Sequence, residues 1–146
     1  MDYTNIEILF VEDSEDDAML TMRALKKSGL DNKLHHVKDG AEALDFMYCR
    51  GIYAFRNFQE HPRLILLDLK MPKVSGMEVL EKIKSDVNIK HIPVVILTSS
   101  QEDSDIKKCY NLGANSYIVK PVDSDKFFQS IKELGMYWMG LSQPLD

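Results

Sequence analysis

The segment Leu64-Ile-Leu-Leu67 sets four branched apolar side chains in a row and ends on a single carboxylate, Asp68. A strand with one wet face alternates apolar and polar residues. An unbroken run suits a strand buried on both faces, as in a parallel sheet covered by helices. Such a strand can present chemistry only at its ends. Asp68 follows the last apolar residue, at the carboxyl edge, where open α/β sheets bind their ligands. Pro72 and Gly76 then break the chain. A lone Asp in this position is more often a turn former or helix cap, but three further strand ends also carry reactive groups.

Residues 6–11 form a short β-type run that ends at Glu12-Asp13. Ser14 is the expected cap of a helix whose first turn holds Glu15, Asp16 and Asp17, where the helix dipole favours acids. Gly29 is its expected stop. Leu20, Thr21, Ala24 and Leu25 share a face suited to the sheet, whereas Met19 and Met22 point elsewhere, as a wide core face or as a surface for a partner. Residues 33–37 read as a weak second strand, and Asp39-Gly40 opens a helix to about Cys49. Residues 50–63 are a long connection containing Tyr53, Phe55 and Phe58. Connections of that length in small domains are uncommon and often functional; the alternative is that these aromatics cover the helix end.

Beyond Asp68 the pattern predicts a helix over residues 76–85 with Met77, Val79, Leu80 and Ile83 as its apolar stripe. Residues 93–97 form a second fully apolar strand, ending in Thr98-Ser99-Ser100. A helix over 102–112 is closed by Gly113, and a brief strand over 116–119 ends at Lys120-Pro121. The last predicted helix covers 124–139, with Phe127, Ile131, Leu134 and Trp138 facing the core and Phe128, Met136 and Met139 facing away.

Five strands alternating with five helices specify an α/β fold: a doubly wound five-stranded parallel sheet with helices on both faces and right-handed crossovers. At 146 residues the chain suits one such domain, with the flavodoxin-like strand order 2-1-3-4-5. That order makes the two acid-bearing strands, 1 and 3, neighbours. The net charge of −5 argues against a nucleic-acid surface, since Lys70, Lys73, Lys82 and Lys84 are interleaved with acids. No run reaches the roughly 18–20 apolar residues of a membrane span, and no signal pattern opens the chain, so the expected location is cytoplasmic. Cys49 and Cys109 lack metal or redox spacing, and His35, His36, His61 and His91 do not pair at i, i+4.

The carboxyl edge of this sheet would gather Glu12, Asp13, Asp68, Thr98 and Lys120. Carboxylates crowded together repel one another unless a cation joins them, and hard oxygen ligands suit Mg²⁺. Asp68 can act as a nucleophile toward phosphorus, because carboxylates form aspartyl-phosphates. A metal and the Lys120 ammonium would neutralise the phosphoryl oxygens, and the Thr98 hydroxyl could donate to one of them.

With these residues in order, the chain resembles a response-regulator receiver domain of the single-domain, chemotaxis-like form. Glu12-Asp13, the Asp68-Leu-Lys-Met-Pro72 run with Gly76, Thr98-Ser-Ser100 and Lys120-Pro121 carry the resemblance, which covers nearly all of the chain. It implies phosphorylation of Asp68 by a histidine kinase. It also implies Mg²⁺ or Mn²⁺ held by Asp13, Asp68 and the Lys70 backbone carbonyl, with Glu12 acting through metal-bound water. A switch through Thr98 and Tyr117 is implied as well. By the same resemblance, Lys70 and Ser100 occupy positions that in the family tune the lifetime of the aspartyl-phosphate. Residues 50–63 and Tyr137-Trp138 resemble the subgroup that accompanies bacterial and cyanobacterial phytochromes, in which the first helix would meet the kinase. The expected organisation is a receiver domain over 1–140 and a short tail over 141–146. With no output domain, the signal would pass by contact to an unknown downstream protein or by a homodimer through the last two helices. Two rivals are a haloacid-dehalogenase-type Mg²⁺ hydrolase and a degenerate receiver that only binds. The first expects an acid two residues after the nucleophile, where this chain has Lys70.

Overall fold

The structure, a computed structural model, describes residues 6–27, 29, 33–69, 71, 74–99 and 103–135. Among these, the strands are β1 (Ile8–Val11), β2 (Leu34–Val37), β3 (Leu64–Asp68), β4 (Val94–Thr98) and β5 (Ser116–Val119). They alternate with α1 (Glu15–Lys26), α2 (Gly40–Met47), α3 (Gly76–Lys84), α4 (Asp103–Asn111) and α5 (Ser124–Glu133). One sheet results, in the order β2-β1-β3-β4-β5, and every neighbouring pair is parallel. This is the doubly wound, flavodoxin-like order that the alternation of elements predicts.

The unbroken apolar runs are divided between two cores by the period of two of a strand. Leu9, Val11, Ile65, Leu67, Val94 and Ile96 pack beneath α2, α3 and α4. Ile8, Phe10, Leu64, Leu66, Val95 and Leu97 pack on the opposite face, against α1 and α5. Each fully buried side chain of this kind is worth roughly 1.5–3 kcal/mol of transfer from water. The central strands are thereby fixed firmly enough for their ends to hold charges that repel. The edge strands β2 and β5 are only partly covered: His35 and Val37 are buried on one, Ser116 and Ile118 on the other.

Two helices begin at the caps that the sequence predicts, Ser14 and Asp39, and the structure adds a third at Ser75. Ser14, Asp39 and Ser75 cap α1, α2 and α3, each side chain accepting the backbone N–H three residues on. Two expectations need correction. On α1 the buried face is Ala18, Thr21, Ala24 and Leu25, while Leu20 is 46% exposed beside Met19 at 59%; Met22 packs partly against the core. At about 100° per residue, Leu20 falls more than a quarter-turn from the centre of that face. The exposed apolar pair is therefore Met19 and Leu20 rather than Met19 and Met22. In α5 the predicted run to Met139 stops sooner: Leu134 caps the helix and Gly135 takes φ 68°. Met136, Tyr137, Trp138, Met139 and the tail over 141–146 lie outside the described residues.

Residues 50–63 serve chiefly as a cover for α2. A single 3₁₀ turn, Gly51–Tyr53, buries the Tyr53 ring. Phe58 stacks on Tyr48 with centroids 6.1 Å apart. The Arg56 guanidinium lies 3.7 Å over the Phe46 ring and donates to the Phe46 carbonyl.

Candidate functional site

Adjacent registers bring the reactive residues to one place. β1 and β3 pair Val11 with Leu67, so the residues after each strand emerge side by side. β3 and β4 pair Asp68 with Leu97, and the Lys120 backbone N–H donates to the Thr98 carbonyl at 2.8 Å. Gly76 lets α3 begin directly against the end of β3. A Cβ there would lie 2.2 Å from the Asp68 carbonyl oxygen and 2.8 Å from Leu69 Cα. Any side chain at this position would push the strand end aside.

Glu12, Asp13 and Asp68 offer carboxylate oxygens that all lie within 4.8 Å of one another. Glu12, Asp68 and Thr98 are buried, and Asp13 is exposed. The Lys120 ammonium enters this cluster, 2.7 Å from Glu12 Oε1 and 3.3 Å from Asp68 Oδ1. Burial, and then the hydrogen bond and charge of Glu12, push the Asp68 carboxyl up to about 7 despite the opposing pull of Lys120. Burial acts to lower Lys120, but hydrogen bonds to Glu12 and Asp17 and the charges of Asp68 and Glu12 outweigh it and raise its pKa overall. The donor set fits a hard divalent cation: all its ligands are oxygen, one acid is solvent-facing, and one lysine cannot balance three carboxylates. Lys70, whose carbonyl is the expected further ligand, lies outside the described residues, as does Ser100.

Two contacts went unread in the sequence. Asp17, by its sequence a first-turn acid, reaches Lys120 Nζ at 3.0 Å. Its contact is long-range, 103 residues apart in the chain, and no local pattern marks it. His36 Nε2 lies 2.8 Å from the Glu12 carbonyl oxygen and ties β2 to the end of β1. Nothing in its spacing marked it. Thr98 and Tyr117 line a shallow cleft together with Leu69, Ile96, Cys109 and Tyr110. The Tyr117 ring is 39% exposed and meets the Tyr110 ring edge to face at 6.2 Å.

A doubly wound sheet whose carboxyl edge gathers three acids, one of them a buried aspartate, with a threonine and a lysine has the arrangement of a phosphoacceptor domain. Residues 8–132 match the family model of the response regulator receiver domain, and the chain belongs to that family. Members of the family are phosphoacceptor switches rather than classical enzymes. Response regulator Rcp1 of Synechocystis is 38% identical over 132 residues, 90% of this chain and 88% of that protein. A Mn²⁺-bound crystal structure of Rcp1 superposes with TM-score 0.74 at 37% identity, covering 93% and 98% of the two chains. The bacteriophytochrome response regulator RtBRR reaches TM-score 0.84 at 48% identity, over 94% of this chain and 82% of its own. The phosphorylated cyanobacterial phytochrome response regulator RcpA gives 0.73 at 38% identity, over 92% and 94%. No helix among the described residues is long and apolar enough to cross a membrane.

Proposed function

We propose that this chain is the phosphoacceptor of a two-component phosphorelay, with Asp68 phosphorylated by a histidine kinase. One observation carries the proposal: Lys120 Nζ lies 3.3 Å from the buried Asp68 carboxylate, inside a cluster it shares with Glu12 and Asp13. The phosphorylated state of RcpA and the bound Mn²⁺ of Rcp1 support it by likeness.

In the transfer, an Asp68 carboxylate oxygen attacks the phosphorus of a phosphohistidine. The O–P bond forms as the P–N bond breaks, and the leaving imidazole nitrogen keeps the electron pair and takes up a proton. Lys120 and Thr98 hold phosphoryl oxygens. Asp13, Asp68 and the Lys70 carbonyl would hold Mg²⁺ or Mn²⁺, with Glu12 acting through a water. The ion would supply positive charge to offset that of the carboxylates and phosphoryl oxygens. Reversal of the signal is hydrolytic: water attacks phosphorus, the O–P bond breaks, and orthophosphate leaves the Asp68 carboxylate behind.

The kinase is of the phytochrome class, a reading supported by the named relatives, and it docks on the exposed Met19 and Leu20 of α1. Thr98 moves toward the phosphoryl group and Tyr117 turns into the cleft it lines, which shifts the population of the face formed by α4, β5 and α5. That face then contacts a downstream protein or a second copy of the chain. Residues 1–140 act as the receiver domain, in the cytoplasm.

Intact-mass measurement after incubation with Mg²⁺ and acetyl phosphate tests the core of this reading. The wild type gains one phosphoryl group and Asp68→Asn gains none. Equal gain in both would move the acceptor elsewhere, and no gain in either, with or without a histidine kinase, would leave a receiver fold that only binds.

A further inference from the structure

Lys120 is shared unequally. An ammonium has three N–H donors, and three carboxylates surround this one: Glu12 at 2.7 Å, Asp17 at 3.0 Å and Asp68 at 3.3 Å. The side chain assigned above to phosphoryl oxygens thus lies nearer two other acids than the acceptor itself. Glu12 is wholly buried, and its second oxygen accepts the Ser14 backbone N–H at 3.2 Å. Moving it would strand a buried charge. Asp17 differs, because its side chain is 42% exposed and water can replace the ammonium there. Its backbone N–H donates to Ser14 Oγ at 3.2 Å, so the capped start of α1 fixes where this carboxylate sits.

We propose that Asp17 is a positioning residue that tethers Lys120 to α1 and competes with phosphoryl oxygens for the ammonium. The proposal rests on Asp68 as acceptor and adds a regulatory link to that site. A phosphoryl group carries nearly two negative charges where the carboxylate carries one, and charge-assisted hydrogen bonds to it are correspondingly strong. Lys120 therefore turns to the phosphoryl group and releases the partner that water can most readily satisfy. Release frees the first turn of α1 from β5, and Met19 and Leu20 follow Asp17 on that same helix. The charge state of Asp68 is in this way transmitted to the exposed apolar face of α1.

Titration with beryllofluoride in Mg²⁺, followed by ¹⁹F NMR, tests the tether on wild type, Asp17→Asn, Asp17→Glu and Asp16→Asn. Asp17→Asn binds about threefold tighter or more than wild type, and Asp17→Glu returns to within about twofold of it. Asp16→Asn, which neutralises an exposed acid of the same turn, stays at the wild-type value. Unchanged or weaker binding by Asp17→Asn overturns the tether. An equal gain by Asp16→Asn also overturns it, since net charge alone would then account for the effect. If the wild type itself does not bind, the acceptor reading fails and the tether falls with it.

Discussion

Two clusters of ionisable groups among the described residues are buried in opposite ways. At the corner of β2 and α2 the Tyr53 hydroxyl donates to Glu42 Oε2 at 2.7 Å, and His35 Nε2 lies 2.8 Å from the same hydroxyl. With the hydroxyl proton given to Glu42, His35 supplies the other hydrogen, so donors and acceptors match along the chain. The imidazole also stacks on Phe46 at 4.9 Å. At the carboxyl edge, by contrast, Glu12, Asp17 and Asp68 converge on Lys120, with the Asp13 carboxylate within 4.8 Å of those of Glu12 and Asp68. A matched polar chain stabilises the fold it sits in. A mismatched one stores repulsion that a ligand can relieve, and this difference separates a structural polar cluster from a functional one.

The comparison breaks first at the support of the edge. Gly76→Ala is expected to destabilise the protein by about 3 kcal/mol or more, because its Cβ would strike the backbone of Asp68 and Leu69 rather than a movable side chain. Phosphoryl gain at Asp68 should fall with it. Urea unfolding and intact-mass analysis of the same sample check both. Near-wild-type stability would mean that the end of β3 yields, and that the cluster is not rigidly held.

A smaller effect reads the stored repulsion itself. In chelator-treated protein, Asp68 is pushed up to about 7, while in the unfolded chain it titrates near 4. Between these values the folded state keeps the proton that the unfolded state has lost. Stability therefore falls as pH rises from about 4 to 7, with the loss complete above that. Asp68→Asn removes this slope and raises the unfolding free energy at pH 8 by on the order of 2 kcal/mol. Equal slopes in the two proteins would show that the edge is not frustrated.

The two regions also differed in how far they could be read from sequence. Leu64 to Leu67 and Val94 to Leu97 announced the buried strands, because burial on both faces forbids polar alternation. Asp68, Thr98, Lys120 and the Glu12-Asp13 pair were legible because each directly follows an apolar run. Asp17 was not, since an acid in a first turn has a sufficient local explanation in the helix dipole. Leu20 misled because a helix face is about a third of the circumference, and apolar residues at its margin are not assigned by spacing alone. The His35, Tyr53 and Glu42 chain joins three segments through one hydroxyl, and no periodicity encodes a contact of that kind.

That chain supplies the smallest effect. Tyr53→Phe keeps the ring and its packing against Phe46, with centroids 5.1 Å apart, and removes only the hydroxyl that joins His35 to Glu42. One net hydrogen bond contributes about 0.5–1.5 kcal/mol, and a buried donor left unmatched adds to the loss, so a destabilisation of about 1–2 kcal/mol is expected. Burial, the leading influence, holds His35 below its ordinary value. The folded protein therefore loses stability as pH falls through the unfolded imidazole value near 6.5, opposite in sign to the Asp68 contribution. Phosphoryl gain from acetyl phosphate should stay at the wild-type level in Tyr53→Phe, because the sheet separates this corner from Lys120 and Asp68. A variant that kept full stability but lost phosphoryl transfer would reverse the assignment, making the matched corner functional and the edge alone insufficient.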